Sequence, residues 1–159
     1  MPQLVLICGE GSGVGKTTLG ERLVAEAAKQ GLKTCVVKHV HHGVDYRVKD
    51  TGRYLEAGAR AVAAIGPGEF MLVERRPLSL LEAASLLAGK GCGLIVVEGL
   101  REEAGRVLEL GGCVACISTR PLLGGDRAAW ARPGKALEAL PRLLELVSRG
   151  LCLARLPGG

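Results

Sequence analysis

The stretch CGEGSGVGKTT, residues 8–18, follows an apolar run and ends in a lysine and two threonines. Its alternating glycines allow the backbone to turn several N–H groups inward, toward one anion. A lysine at the end of such a loop can reach the β- and γ-phosphates of a nucleotide, and the next hydroxyl can bind Mg²⁺. The pattern predicts a phosphate-binding loop (P-loop) made of Gly11, Ser12, Gly13, Val14, Gly15, Lys16, Thr17 and Thr18.

The P-loop pattern G-x-x-x-x-G-K-[ST] is met only in part. Glu10 stands where the first glycine is expected, and Gly9 comes one residue too early. The sequence leaves two alternatives open, a longer loop or a carboxylate that faces solvent. The role of Lys16 is therefore better defined than the set of amides around the phosphates.

A second motif is LIVVEG, in which four apolar residues precede Glu98 and a glycine follows. P-loop proteins hold magnesium with a carboxylate at the end of another buried strand. We expect Glu98 to bind the metal directly or through water. The alternative is a strand-end glutamate in an ordinary salt bridge.

All three histidines lie at positions 39, 41 and 42, in a segment rich in charge. Residues 33–60 carry six Lys or Arg and three Asp or Glu, which is +3 of the chain's formal +5. This charge predicts an anionic ligand beyond the nucleotide. The alternative is a solvated loop in which His39 is hydrogen-bonded at the end of a strand.

Cys113 and Cys116 have C-x-x-C spacing inside an apolar run, without a second pair at zinc-finger distance. We interpret them as buried packing or a disulfide, with metal binding as the alternative. The six cysteines do not form the pattern of a small secreted domain.

These motifs lie on strands that alternate with helices. Strands are predicted at 3–8, 33–39, 60–65, 69–75, 93–100, 106–110 and 113–118. Helices are predicted from the glycine loop to Gly31, around 51–57, from Ser79 to about 88, and over 134–150 with a break near Pro141. The alternation predicts a three-layer α/β/α fold of the P-loop NTPase type, with a mostly parallel sheet.

Length and composition predict one nucleotide-binding domain over residues 1–159. No apolar run approaches the roughly 20 residues of a membrane span, and no basic leader precedes the first strand, so we expect a cytoplasmic protein. The low aromatic content, 3%, argues against a nucleic-acid partner. The lack of asparagine is compatible with a thermophilic source or a GC-rich genome.

Three segments in this order, GSGVGKTTL, KHVHHGVDYRVKDTGRYLEAGA and VVEGLR, resemble the molybdopterin-guanine dinucleotide biosynthesis protein B (MobB) family of GTP-binding proteins. The resemblance covers about residues 3–110. It implies a homodimer that binds GTP and Mg²⁺, hydrolyses GTP weakly at most, and assists the partner that joins GMP to molybdopterin. It also implies molybdopterin or the molybdenum cofactor as a further ligand.

The resemblance also implies roles for individual residues. Lys16, Glu98 and Arg101 would be the catalytic residues, and Thr17, Glu98 and Asp45 would hold the metal. Family members usually have Phe and Lys at the positions of Leu100 and Arg101, and arginine keeps the charge. Further ligand contacts would come from His39, His42, Asp45, Lys49, Asp50 and Arg53.

Two other functions remain open at this point. A small-molecule kinase would use residues 120–134 as an arginine-rich lid, and a metallochaperone GTPase would use His41, His42 and the C-x-x-C pair as metal ligands. The source of base specificity is not visible, because an Asn-Lys-x-Asp motif cannot exist without asparagine. Residues 118–120 are a candidate for the base side by position only.

Overall fold

The computed structural model describes residues 1–44 and 49–158, which form seven strands and five α-helices. The strands are β1 (Gln3–Gly9), β2 (Thr34–Lys38), β3 (Ala61–Ile65), β4 (Phe70–Glu74), β5 (Leu94–Glu98), β6 (Cys113–Ile117) and β7 (Ala128–Ala131). The helices are α1 (Lys16–Lys29), α2 (Lys49–Glu56), α3 (Leu80–Gly89), α4 (Ala104–Glu109) and α5 (Leu140–Ser148). Two short 3₁₀ helices, Arg101–Glu103 and Ala136–Ala139, precede α4 and α5.

Five strands form a parallel sheet in the order β2-β5-β1-β6-β7. The continuous apolar runs of β1, β5 and β6 are buried, as expected for central strands of a parallel sheet that is covered on both faces. Because the strands are parallel, all five carboxyl ends meet at one edge. There Glu98 lies in register between Ile7 and Lys38.

Side chains of β1 alternate between two hydrophobic cores. Val5 and Ile7 belong to one cluster, which includes residues of α1 and α5. Leu4 and Leu6 belong to the other, which includes residues of α3 and α4. Two helical layers on one mostly parallel sheet confirm the predicted α/β/α fold.

The described chain divides into two compact units, of which the first is made of residues 1–39 and 79–158 and the second of residues 40–78. The second unit contains α2 and an antiparallel hairpin in which Ile65 is paired with Phe70. That residues 1–159 form one nucleotide-binding domain stays a prediction.

The strand predicted at 106–110 is wrong, because these residues belong to the end of α4 and the turn after it. Ala104 and Val107 are both buried, three residues apart on one face of the helix. The five residues of RVLEL are too few for their period to distinguish a helix from a strand.

The C-terminal third contains β7, a strand that the sequence did not predict, and it confirms the predicted break near Pro141. Residues 120–134, considered above as a lid, contain β7, which pairs with β6 in the main sheet. Pro141 lies in the first turn of α5, where its missing N–H costs no hydrogen bond, so the predicted helix divides into a 3₁₀ turn and α5.

All six cysteines form disulfides, which join Cys8 to Cys116, Cys35 to Cys92, and Cys113 to Cys152. Cys113 and Cys116 therefore do not pair with each other. Thiolate ligation of a metal by this C-x-x-C pair is excluded while these bonds are formed.

None of the helices in residues 1–44 and 49–158 is long and apolar enough to cross a membrane.

Candidate functional site

The glycine loop connects β1 to α1 at the carboxyl edge of the sheet. Gly13 and Gly15 have φ of 75° and 107°, in the left-handed region that favours glycine. Gly15 is the N-cap of α1 and offers no side chain to the helix, whose first turn also lacks acidic residues. The first N–H groups of α1 are therefore not capped by a side chain, which is the arrangement that binds phosphate at helix N-termini.

The structure explains the departure from the P-loop pattern at Glu10. A Cβ on Gly9 would lie 2.6 Å from Cγ2 of Val14, so this glycine allows the loop to fold over the end of β1. The Glu10 carboxylate accepts a hydrogen bond of 3.0 Å from the Thr119 hydroxyl. The backbone N–H of Glu10 donates to the Ile117 carbonyl. Glu10 thus fastens the loop to the end of β6.

Thr17 and Glu98 are brought together from positions 81 residues apart. The Thr17 hydroxyl donates to Oε1 of Glu98 at 2.7 Å, and Lys38 Nζ lies 3.9 Å from Oε2. The Glu98 side chain is 15% exposed. A hydroxyl and a carboxylate at the mouth of the loop are oxygen donors of the kind that Mg²⁺ prefers, and Mg²⁺ usually takes its other ligands from water and substrate phosphates. The donor set therefore fits the predicted metal.

The turn after Glu98 fixes its position. Gly99 has φ of 100° and donates its N–H to the Ile7 carbonyl, while Leu100 is a non-glycine residue with φ of 53°. A Cβ on Gly99 would lie 3.1 Å from that of His39, whose N–H bonds to the Glu98 carbonyl. His39 therefore lies at the same edge of the sheet. Arg101 begins the following 3₁₀ helix and is exposed.

The other predicted ligands lie in or near the second compact unit. His42, Asp50 and Arg53 are exposed, and Arg53 Nη1 lies 3.8 Å from the Asp50 carboxylate. A cleft of about 330 Å³ is lined by Asp50, Arg53, Tyr54 and Ala57. Asp45 lies outside the described residues, and Lys49 is described only as the first residue of α2.

A second cleft, of about 410 Å³, lies beside the P-loop. One wall is formed by Gly13, Val14, Gly15 and Thr18, and the other by residues 134–138. The two walls touch, because the Gly134 N–H donates to the Val14 carbonyl at 3.4 Å and a Cβ on Gly15 would lie 2.7 Å from that of Ala136.

Sequence reasoning did not identify Lys38 or residues 134–138 as parts of this region. Lys38 had a detectable signal, since it ends β2 as Glu98 ends the neighbouring strand. Residues 134–138 lie more than a hundred positions from the loop and carry no phosphate-binding pattern, so only the fold brings them there.

Comparisons with known proteins show what this chain is similar to. A family model described as "Molybdopterin guanine dinucleotide synthesis protein B" matches residues 4–111. The molybdopterin-guanine dinucleotide biosynthesis adapter protein of Haemophilus influenzae is 34% identical over 96 residues, which are 58% of this chain and 54% of the relative. The Escherichia coli adapter protein is 33% identical over 98 residues, which are 58% of this chain and 56% of that one. The chain thus spans about half the length of the curated relatives it matches.

Solved structures extend the likeness of fold over nearly the whole chain. The MobB protein homolog from Bacillus stearothermophilus has a TM-score of 0.58 and 27% identity, with 92% of this chain and 98% of that chain covered. Bacillus subtilis MobB, at 22% identity and a TM-score of 0.59, covers 94% and 98% and shares the fold. Since the family model matches more than half of the residues, this chain belongs to the MobB family.

Proposed function

We propose that this chain is a GTP-binding adapter in the biosynthesis of molybdopterin guanine dinucleotide. The observation that carries the proposal is the glycine loop at the uncapped start of α1, within a chain of the MobB family. The amides of residues 11–15 and Thr18 would bind the phosphates, and Lys16 would neutralise the β- and γ-phosphates.

Mg²⁺ would be held by Thr17 and Glu98, whose side-chain oxygens lie 2.7 Å apart. The ion neutralises phosphate charge when bound. Lys38 would hold the Glu98 carboxylate in place, and Arg101 would contribute positive charge near the same strand end. Asp45 stays a predicted further ligand.

Hydrolysis of GTP would be weak at most. Fast hydrolysis needs a residue that orients the attacking water, which in many GTPases is a glutamine. Gln3 and Gln30 are the chain's glutamines. Gln3 is buried and donates to the Val147 carbonyl, and Gln30 accepts from the Ser148 hydroxyl. Both are engaged in structural hydrogen bonds within the fold.

The pathway partner would be the guanylyltransferase that joins GMP to molybdopterin. The adapter proteins of Haemophilus influenzae and Escherichia coli are named for this pathway. The net positive segment 33–60 offers an anionic molybdopterin or molybdenum cofactor its complementary charge, with His39, His42, Lys49, Asp50 and Arg53 as contacts. We place this activity in the cytoplasm, without a membrane or nucleic-acid partner.

The functional form would be a homodimer that pairs through the β3–β4 hairpin. One face of this hairpin exposes Ile65 (88%), Phe70 (68%) and Leu72 (61%). A two-stranded sheet in isolation is at best marginally stable and leaves both of its edges unpaired. A twofold-related copy presents the same apolar face and the same strand edges. Pairing of the two copies would therefore cover the apolar face and supply a partner for an unpaired edge.

Titration with labelled GTP, with and without Mg²⁺, tests nucleotide binding. Lys16→Ala removes the charge at the phosphates and should weaken GTP binding about 10- to 100-fold, the range for a lost charged hydrogen bond. Lys29→Ala, an exposed lysine at the other end of α1, is the matched control. Equal affinity of the Lys16 and Lys29 variants would contradict the proposal.

A further inference from the structure

The cleft of about 410 Å³ beside the P-loop is large enough for a nucleoside, since small-molecule sites span roughly 300–1,000 Å³. It is lined by Thr18 and by the glycines before Lys16, whereas Lys16, Thr17 and Glu98 are not among its lining residues. The cleft therefore lies beside the loop but apart from the residues assigned to Mg²⁺ and the terminal phosphate.

This position decides which part of a nucleotide the cleft would receive. A triphosphate whose terminal end lies at Lys16, Thr17 and Glu98 must extend its other end away from them along the start of α1. Thr18 is the next residue of that helix and is also a wall of the cleft. The ribose and base are then the parts that enter the cleft, an inference that rests on the proposed function.

The wall of the cleft formed by residues 134–138 is mostly apolar and carries one carboxylate. Ala136 and Leu137 are apolar, Lys135 has a long aliphatic stem, and Glu138 is the one carboxylate among the lining residues. No ion pair involves the Glu138 side chain within residues 1–44 and 49–158. Its oxygens can therefore accept hydrogen bonds from a ligand.

A carboxylate distinguishes guanine from adenine. Guanine presents two adjacent donors, N1–H and the 2-amino group, which match the two oxygens of one carboxylate. Adenine presents an acceptor at N1, which a carboxylate repels. A site that leaves such a polar group unpaired rejects the wrong ligand strongly.

We propose that Glu138 is the guanine-reading residue of this chain. It would accept N1–H and the 2-amino group while Ala136, Leu137 and the Lys135 stem cover the purine ring. This position supplies the carboxylate that an Asn-Lys-x-Asp motif provides in other GTP-binding proteins, and that motif is ruled out here by the absence of asparagine. Residues 135–138 lie beyond the matched family region, which ends at 111.

Glu138→Gln tests the assignment through a change of specificity. Glutamine keeps the shape, and it can accept from N1–H while it donates to the 2-oxo group of xanthine. The full chain should bind labelled GTP at least tenfold more tightly than labelled ATP. The variant should lose at least tenfold in GTP affinity and gain affinity for xanthosine triphosphate. Glu109→Gln, at the exposed end of α4, is the matched control and should behave as the unmodified chain.

Each outcome has one meaning. Failure of the unmodified chain to bind either nucleotide contradicts the proposed function itself. If it prefers GTP and the Glu138 variant keeps that preference with no gain for xanthosine triphosphate, the base is read elsewhere and the inference is wrong. A folding defect cannot mimic the expected result, because it would not create affinity for a new nucleotide.

Discussion

At the scale of single residues, the pair Thr17 and Glu98 links the two motifs that the sequence suggested. Their contact of 2.7 Å shows that the P-loop and the end of β5 meet, although 81 residues separate them. Lys38 approaches the other oxygen of the same carboxylate at 3.9 Å. A carboxylate between a hydroxyl and an ammonium group is fixed in position before any ligand binds.

Mg²⁺ is expected to raise the GTP affinity of the Glu98→Gln variant less than it raises that of the unmodified chain. The amide keeps the shape of the side chain but loses the charge that attracts the ion. In EDTA the same change should leave GTP affinity equal or slightly higher, since it removes a negative charge near the phosphates. Calorimetric titrations measure the GTP affinity in Mg²⁺ and the GTP affinity in EDTA.

Glu102→Gln, an exposed neighbour in the next 3₁₀ helix, is the control for that experiment. An unchanged ratio of the affinities in Mg²⁺ and EDTA for the Glu98 variant would argue against its role in binding the metal.

At the scale of elements, the P-loop depends on glycine where the backbone is left-handed and where another segment approaches closely. Gly15 meets both conditions, with φ of 107° and Ala136 within 2.7 Å of an added Cβ. Gly11 meets neither, since its φ is not in that region and a Cβ would have no heavy atom within 4 Å.

Gly15→Ala should therefore destabilise the chain by about 2–5 kcal/mol, through left-handed strain and overpacking together. Gly11→Ala, the matched variant in the same loop, should change the free energy of unfolding by less than about 1 kcal/mol. Denaturant unfolding without nucleotide measures both. Equal free energies of unfolding for the two variants would contradict the close packing of the loop on residues 134–138.

The β3–β4 hairpin is the element on which the proposed homodimer depends. Leu72→Glu places a charge in the middle of its exposed apolar face and should convert a dimer into a monomer. Light scattering after size-exclusion chromatography gives the mass directly.

Leu86→Glu changes an equally apolar and exposed residue of α3, outside the hairpin, and should leave the dimer intact. A dimer that survives the Leu72 change would place the contact elsewhere.

At the scale of the whole molecule, the three disulfides are expected to stabilise the fold. They close segments of 108, 57 and 39 residues, and long closed segments restrict the unfolded chain most in the entropic account. Disulfides are rare in cytosolic proteins except in hyperthermophiles. The lack of asparagine noted above is compatible with such a source.

The denatured chain should accordingly show no free thiol before reduction and six after it, by thiol titration. Replacement of Cys113 and Cys152 together by serine should cost roughly 2–5 kcal/mol of unfolding free energy, as is usual for loss of a native disulfide. Six titratable thiols in the unreduced protein would contradict the pairing.

Local pattern was enough to predict the glycine loop between β1 and α1, most strands and the α/β/α fold, because glycine spacing, capping residues and long apolar runs act within a few neighbouring residues. Ser79 shows this, since it is the N-cap of α3, the residue at which the sequence predicts that helix to begin. The short segment RVLEL was misassigned because five residues do not define a period. The cysteine pairing, the Lys38 contact and the cleft at Glu138 join positions that are distant along the chain. These depend on strand order and on which segments the sheet brings together, so the tertiary structure alone decided them.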